Sequence, residues 1–343
     1  MRKQNTIIIL TTFIALFLWL IEGCRKNKLE LTAYPVLLPA HFPATDYYAS
    51  TPIYKEGFEL GRRLFYDTRL SKDGTVSCGS CHEQVAAFGT FNHDLSHGVN
   101  GEHGIRNAMS LFNLAWQTNF GWDGKHKSLE AVYTAHINSP VEFGENITSI
   151  INKLKTDRRY PQQFAKMFGT TEINQQRIYA ALTQFISAFI SANTKYDSVK
   201  QGLASFTVSE QTGYAVFLSK CNSCHTEPLF TNNSYRNIGL PVTALNDFGR
   251  IRVTNKNSDS LKFRVPSLRN LFKSYPFMHD GRFVAFSQVF DHYQTGVQQS
   301  TTLDPLISSG ISISTNERNA LVDFFRTLTD NSFTGNSNFT APQ

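Results

Sequence analysis

The sequence has no sustained alternation of apolar and polar residues, which excludes a fold built on half-buried strands. It has no Lys/Arg run long enough to face a nucleic acid, although 33 Lys+Arg against 27 Asp+Glu leave a formal charge of +6. An excess of that size describes a solvated exterior, so no nucleic-acid partner is expected. Long apolar runs are missing apart from one, "TIIILTTFIALFLWLI", which follows the basic segment "MRKQN". That run falls short of the roughly 20 apolar residues that cross a bilayer. It reads instead as an export signal. Cysteine is scarce, with five in 343 residues, so its placement carries information.

What is present belongs to a folded chain. The sequence is 41% hydrophobic and 13% aromatic, which excludes a disordered tail, and its length suits two domains of ordinary size. Phe occurs 28 times and can either fill cores or wall a large flat aromatic ligand. The apolar run ends "LIEGC", which resembles the lipobox of bacterial lipoproteins despite the unusual Glu22. This reading implies cleavage before Cys24 and a lipid anchor on it, with an uncleaved N-terminal anchor as the alternative. In either case residues 25 onward lie outside the cytoplasm, in a periplasm.

Four of the five cysteines fall in two short repeats, "VSCGSCH" from Val76 and "KCNSCH" from Lys220. Cys78, Cys81, Cys221 and Cys224 could form disulfides or a four-thiolate zinc site. Neither needs His82 or His225 directly after the second cysteine. A c-type haem does: two thiols add to the vinyl groups, and the adjoining imidazole becomes the proximal iron ligand. Two such motifs in one exported chain point to two haem c groups.

The chain organisation agrees. Residues 1–24 form the signal, and 25–50 read as a tether without a clear period. Apolar residues at helical spacing in "YKEGFELGRRLFYD" predict a helix before the first motif, linked to it by the turn-rich "DTRLSKDGTVS". "NQQRIYAALTQFISAFISANT" is the longest helical pattern. Thr207 with Glu210, and Ser314 with Glu317, form capping boxes that open helices before Cys221 and near the C-terminus. The expected fold is all-α, with two cytochrome c-like domains of one haem each, at 51–200 and 201–343.

"LGRRLFYDTRLSKDGTVSCGSCH" resembles the first haem motif of the bacterial di-haem cytochrome c peroxidase and MauG family. The blocks "SHGVNGEHGIRNAMSLFN", "FGWDGKHKSLEAV", "SPVEFG", "FRVPSLRNL" and "YPFMHDGRF" follow in family order over roughly residues 55–330. The resemblance implies a peroxide site at the first haem, with His97 as a distal histidine able to leave the iron. It implies Glu142 as the acid-base carboxylate and Trp122 as the indole between the haems. Arg264 is implied as a propionate partner. Asn107 and the backbone oxygens of Ser274 and Pro276 are implied as an interdomain calcium site. His279 is read as a structural or propionate contact, and Met278 as packing. Homodimers are frequent in the family.

The ordinary peroxidases carry a Met ligand fourteen residues after the "HDG" histidine. Here that position is Tyr293, as in MauG-type enzymes. A phenolate is hard and anionic, so it lowers the potential that a thioether would raise. Three functions follow as expectations. The first is reduction of H2O2 with electrons from a small cytochrome c or cupredoxin. The second is MauG-like oxidation of a partner protein. The third is a non-enzymatic di-haem electron carrier.

Overall fold

A computed structural model describes residues 29–343; Cys24 and the apolar N-terminal run lie outside the described residues. The main helices are α1 (Lys55–Phe65), α2 (Leu129–Asn138), α3 (Ile147–Lys155), α4 (Arg159–Phe168), α5 (Gln175–Ile186), α6 (Val208–Lys220), α7 (Phe286–Asp291) and α8 (Thr315–Arg326). Among the described residues, paired strands are limited to β1 (Tyr235–Arg236) and β2 (Phe263–Arg264), which run antiparallel. The missing alternation in the sequence has its counterpart here.

Two helix pairs carry the architecture, α1 along α5 and α6 along α8. Phe58, Leu60, Leu64 and Phe65 put one face of α1 into the first core. Gly61 lets the helices cross at backbone distance: a Cβ there would lie 1.9 Å from the Ala181 carbonyl oxygen. Gly213 plays the same part on α6, where a Cβ would lie 1.9 Å from the Ala320 carbonyl oxygen. No residue with a side chain fits either crossing. Both predicted capping boxes form, at Thr207/Glu210 and Ser314/Glu317, and α6 runs directly into Cys221.

The apolar residues divide into two buried clusters. The first gathers Phe58, Phe65, Phe88, Tyr133, Phe164 and Phe185. The second gathers Tyr196, Phe217, Phe230, Leu321 and Phe324. Near the C-terminus, Phe333 and Phe339 return to the first cluster. The irregular segment 29–50 lies against the body: Tyr34 stacks on Phe58 at 4.3 Å, and Tyr48 donates to the Ser187 carbonyl at 2.8 Å. The pattern "NQQRIYAALTQFISAFISANT" yields a shorter helix than its period implies. After Ile186 the chain turns to tertiary partners, with Ser191 N–H donating to Asn113 Oδ1 at 3.0 Å and Asn193 N–H to Asp330 Oδ2 at 3.0 Å. Between the helix and these bonds, the amides of residues 187–190 make short local bonds.

A second internal correspondence joins the halves. Phe120 pairs with His126 around "WDG", and Phe277 pairs with Phe283 around "HDG". Gly124 and Gly281 sit at φ +67° and +68°, the left-handed region that this turn requires. The two blocks are the same turn used twice.

Candidate functional site

Cys78–Cys81 form one helical turn, capped by Ser77 and Ser80. His82 follows, and its Nδ1–H donates to the Phe88 carbonyl at 2.8 Å. Burial lowers its pKa to about 4, so the ring is neutral at ordinary pH. A neutral ring whose proton sits on Nδ1 keeps a lone pair on Nε2, the form a metal needs. The second motif repeats the arrangement. His225 Nδ1–H donates to the Pro266 carbonyl at 3.0 Å, and burial lowers its pKa to about 4 as well. Phe88 and Phe230, which follow the two histidines, are both fully buried with left-handed φ of 58° and 55°.

The four thiols are free of disulfides. Cys78 packs on the first cluster and Cys221 on the second, and among the described residues no group of three or more His, Cys, Asp or Glu converges on a metal. The two cysteine pairs thus lie against separate clusters rather than around one four-thiolate site. Burial pushes the Cys78 and Cys221 thiols up to about 12.

Tyr293 lies in a π-helical turn, His292–Gly296, that continues α7. Such turns concentrate at functional sites because they displace one residue from the helical register. Burial raises the pKa of its phenol, with Cys221 and Cys224 close enough to add to the effect. Its hydroxyl has no hydrogen-bond partner among the described residues, whereas His292 donates from Nε2 to the Ile238 carbonyl at 2.8 Å.

The two DG turns meet at Asn107. Its N–H donates to the His279 carbonyl at 2.8 Å, and its carbonyl accepts from Trp122 Nε1 at 2.9 Å. Its side-chain NH2 donates to the carbonyls of His93 and Asp94, at 3.2 and 2.9 Å. Asn92 N–H reaches the Tyr275 carbonyl at 3.2 Å, which ties this loop to the strand of chain holding Ser274 and Pro276. His279 is buried and stacks on Phe263 at 3.8 Å, in keeping with a structural role. Arg106 bridges Asp123 of "WDG" at 2.7 Å and Asp247 of the second half at 2.6 Å. Sequence reasoning did not find that bridge, because nothing local marks its partners.

Arg264 offers the sharpest test of whether these residues fit haem. It is 5% exposed, yet its nearest partners are Met109 Sδ at 3.1 Å, Asn233 Oδ1 at 3.3 Å and the Gly121 carbonyl at 3.4 Å. None is an anion. Burial lowers its pKa to about 10. The neighbouring Tyr235 hydroxyl is buried without a partner. An unpaired buried guanidinium costs several kcal/mol, roughly, unless an anion joins it. A haem carboxylate meets that need, so the residues fit the group.

His97 is exposed, and its ring makes no hydrogen bond among the described residues. Its backbone pairs with His103, and its carbonyl lies 3.9 Å from Cys81 Sγ. The loop beyond it is fastened to the Glu142 loop: Val99 N–H donates to the Glu142 carbonyl at 2.9 Å, and a Cβ on Gly98 would lie 2.1 Å from the Val141 carbonyl oxygen. Glu142 thus stands beside the first motif. Its Oε2 accepts from His136 Nδ1 at 2.7 Å. His136 is absent from the sequence-based candidates; its only signal is a spacing that becomes visible once the two DG turns are matched.

The helical frame, the paired Cys-Cys-His motifs and the anion-seeking arginine between them define a di-haem redox protein of the cytochrome c type. A family model described as "Di-haem cytochrome c peroxidase" matches residues 55–205. The methylamine utilization protein MauG of Methylorubrum extorquens is 33% identical over 291 residues, which cover 81% of this chain and 80% of the relative. Cytochrome c551 peroxidase of Nitrosomonas europaea is 32% identical over 260 residues, covering 74% and 78%. The crystal structure of a MauG-like protein associated with microbial copper homeostasis superposes with TM-score 0.84 and 30% identity, covering 90% of this chain and 99% of the other. The chain belongs to the bacterial di-haem cytochrome c peroxidase and MauG family, and it is a peroxidase-type oxidoreductase with two haem c groups.

Proposed function

We propose that the protein reduces H2O2 at the first motif with two electrons drawn through the second motif from a small cytochrome c or cupredoxin. Haem bound at the two motifs supplies the metal that takes peroxide and the redox couple that splits its O–O bond. The chain supplies the rest. One proton must pass from one peroxide oxygen to the other as the bond breaks, and Glu142 carries it. His97 is the exchangeable distal histidine, on the loop that Val99 fastens to Glu142. Trp122, hydrogen-bonded at the junction of the halves, is the electron relay, and Arg264 holds a propionate. Asn107 Oδ1, left free by its own NH2 bonds, joins the carbonyls of Ser274 and Pro276 around calcium. Cys78, Cys81 and His82 belong to a domain over 51–200, and Cys221, Cys224 and His225 to one over 201–343. The export signal sends both to the periplasm, with Cys24 as lipid anchor.

The observation that supports this reading is the Val99–Glu142 backbone bond, which fastens the His97 loop, itself beside Cys81, to the loop that carries Glu142. The test is oxidation of a reduced small cytochrome c by the holoprotein and H2O2. Two donors should be oxidised per peroxide, and Glu142→Gln should slow turnover by roughly 10²–10⁴-fold. No donor oxidation by the unaltered protein rejects the reading.

Tyr293 favours a second reading, in which the oxidising equivalents are spent on residues of a partner protein, as a hard phenolate at the second motif disfavours electron entry. It predicts peroxide consumption that no small donor accelerates and a mass change in the partner.

A further inference from the structure

The matched DG turns set a register between the two halves. Trp122 and His279 hold the same place in their turns, and the next helices begin seven residues later, at Leu129 and Phe286. Fourteen residues after Trp122 comes His136; fourteen after His279 comes Tyr293. His136 is therefore the first-half counterpart of the tyrosine that stands beside Cys221 and Cys224. Its surroundings agree. Nδ1–H donates to Glu142 at 2.7 Å, Nε2 has no partner among the described residues, and the side chain is 44% exposed. The other titratable groups around it are His126 and His82.

We propose that His136 is a second imidazole of the first haem pocket, distinct from the exchangeable His97 and held in place by Glu142. The inference rests on Cys78, Cys81 and His82 binding haem, and it is independent of which donor or substrate the enzyme uses. A carboxylate that holds Nδ1–H keeps Nε2 as a base and stabilises the ring once it is protonated. With haem present, Nε2 would relay the proton of an incoming H–O–O–H together with Glu142, or accept that of H–C≡N. The two halves differ for a physical reason. α2 stays regular through Asn138, whereas the chain after α7 widens into a π-turn.

The test uses ferric holoprotein with His136→Phe and His136→Gln, read by cyanide titration and by electron paramagnetic resonance. His136→Phe should weaken cyanide binding at least tenfold and change the first-haem signal. His136→Gln, which keeps a polar N–H, should fall between it and the unaltered protein. An unchanged second-haem signal shows that the variants are folded. Cyanide affinity within twofold of the unaltered protein together with an unchanged first-haem signal in His136→Phe overturns the proposal. Peroxide turnover separates the two claims: inactive unaltered protein with altered cyanide binding in the variant rejects the peroxidase reading alone. Active unaltered protein with a silent His136→Phe rejects this inference alone.

Discussion

Gly61→Ala adds one methyl group at the tightest point of the first core. Its Cβ would meet the Ala181 carbonyl oxygen at 1.9 Å, the carbonyl carbon at 2.8 Å and Phe185 Cβ at 2.9 Å. Two of these atoms are backbone and cannot swing aside, so α1 and α5 must part by about 1 Å. A gap of that size forfeits about a quarter to a half of the dispersion energy across the crossing. Overpacking of this kind costs about 1–3 kcal/mol, with backbone obstruction at the upper end. Alanine's better helix propensity returns about 1 kcal/mol. The expected net loss is about 2 kcal/mol. It should appear as a lower guanidinium midpoint at unchanged slope, followed by the Soret band. Gly213→Ala should do the same in the second core, where the approach to Ala320 is equally close. Gly104→Ala is the control, because a Cβ there meets nothing within 4 Å and should shift stability by under about 0.5 kcal/mol. An unchanged midpoint in Gly61→Ala would refute the view that the glycine exists for helix contact.

Three further outcomes are expected. Tyr293→Phe should change the visible and paramagnetic spectra of the second haem while leaving the first unchanged; identical second-haem spectra would remove tyrosine from the iron. Burial by itself would raise the Asp197 pKa, but Arg269, bonded to it at 2.6 and 2.9 Å, holds it down at about 2. A depressed folded pKa means this stabilisation is complete above about pH 4 and lost as pH falls through 2. Acid titration should therefore show about 2 kcal/mol disappearing in that window, and Asp197→Asn should abolish this part of the slope. Finally, calcium chelation should slow peroxide turnover, and added calcium should restore it; activity indifferent to both argues against an ion at Asn107.

Much of this arrangement was legible because it rests on local chemistry. The capping boxes at Thr207 and Ser314 need only residues three apart, and both form as read. The Cys-Cys-His motifs are equally local, since the cofactor's own geometry dictates their spacing. Legibility fails where a partner is remote in sequence. Beyond α5, Asn113 and Asp330 take the amides of Ser191 and Asn193 into tertiary bonds, and no periodicity in "FISAFISANT" announces them. The C-terminal Phe333 and Phe339 look like a tail, yet they complete the first core.

The amino-acid sequence by itself determined that two covalent haem motifs lie in one helical chain, because thiols, imidazoles and capping side chains act within a few residues of one another. Only the tertiary structure decided that Arg264 is buried with no anion beside it, that Asn107 links Trp122 to His279, and that His136 meets Glu142. Those relations depend on burial and on distance through space, and both come into being only when the separate helices close around their cores.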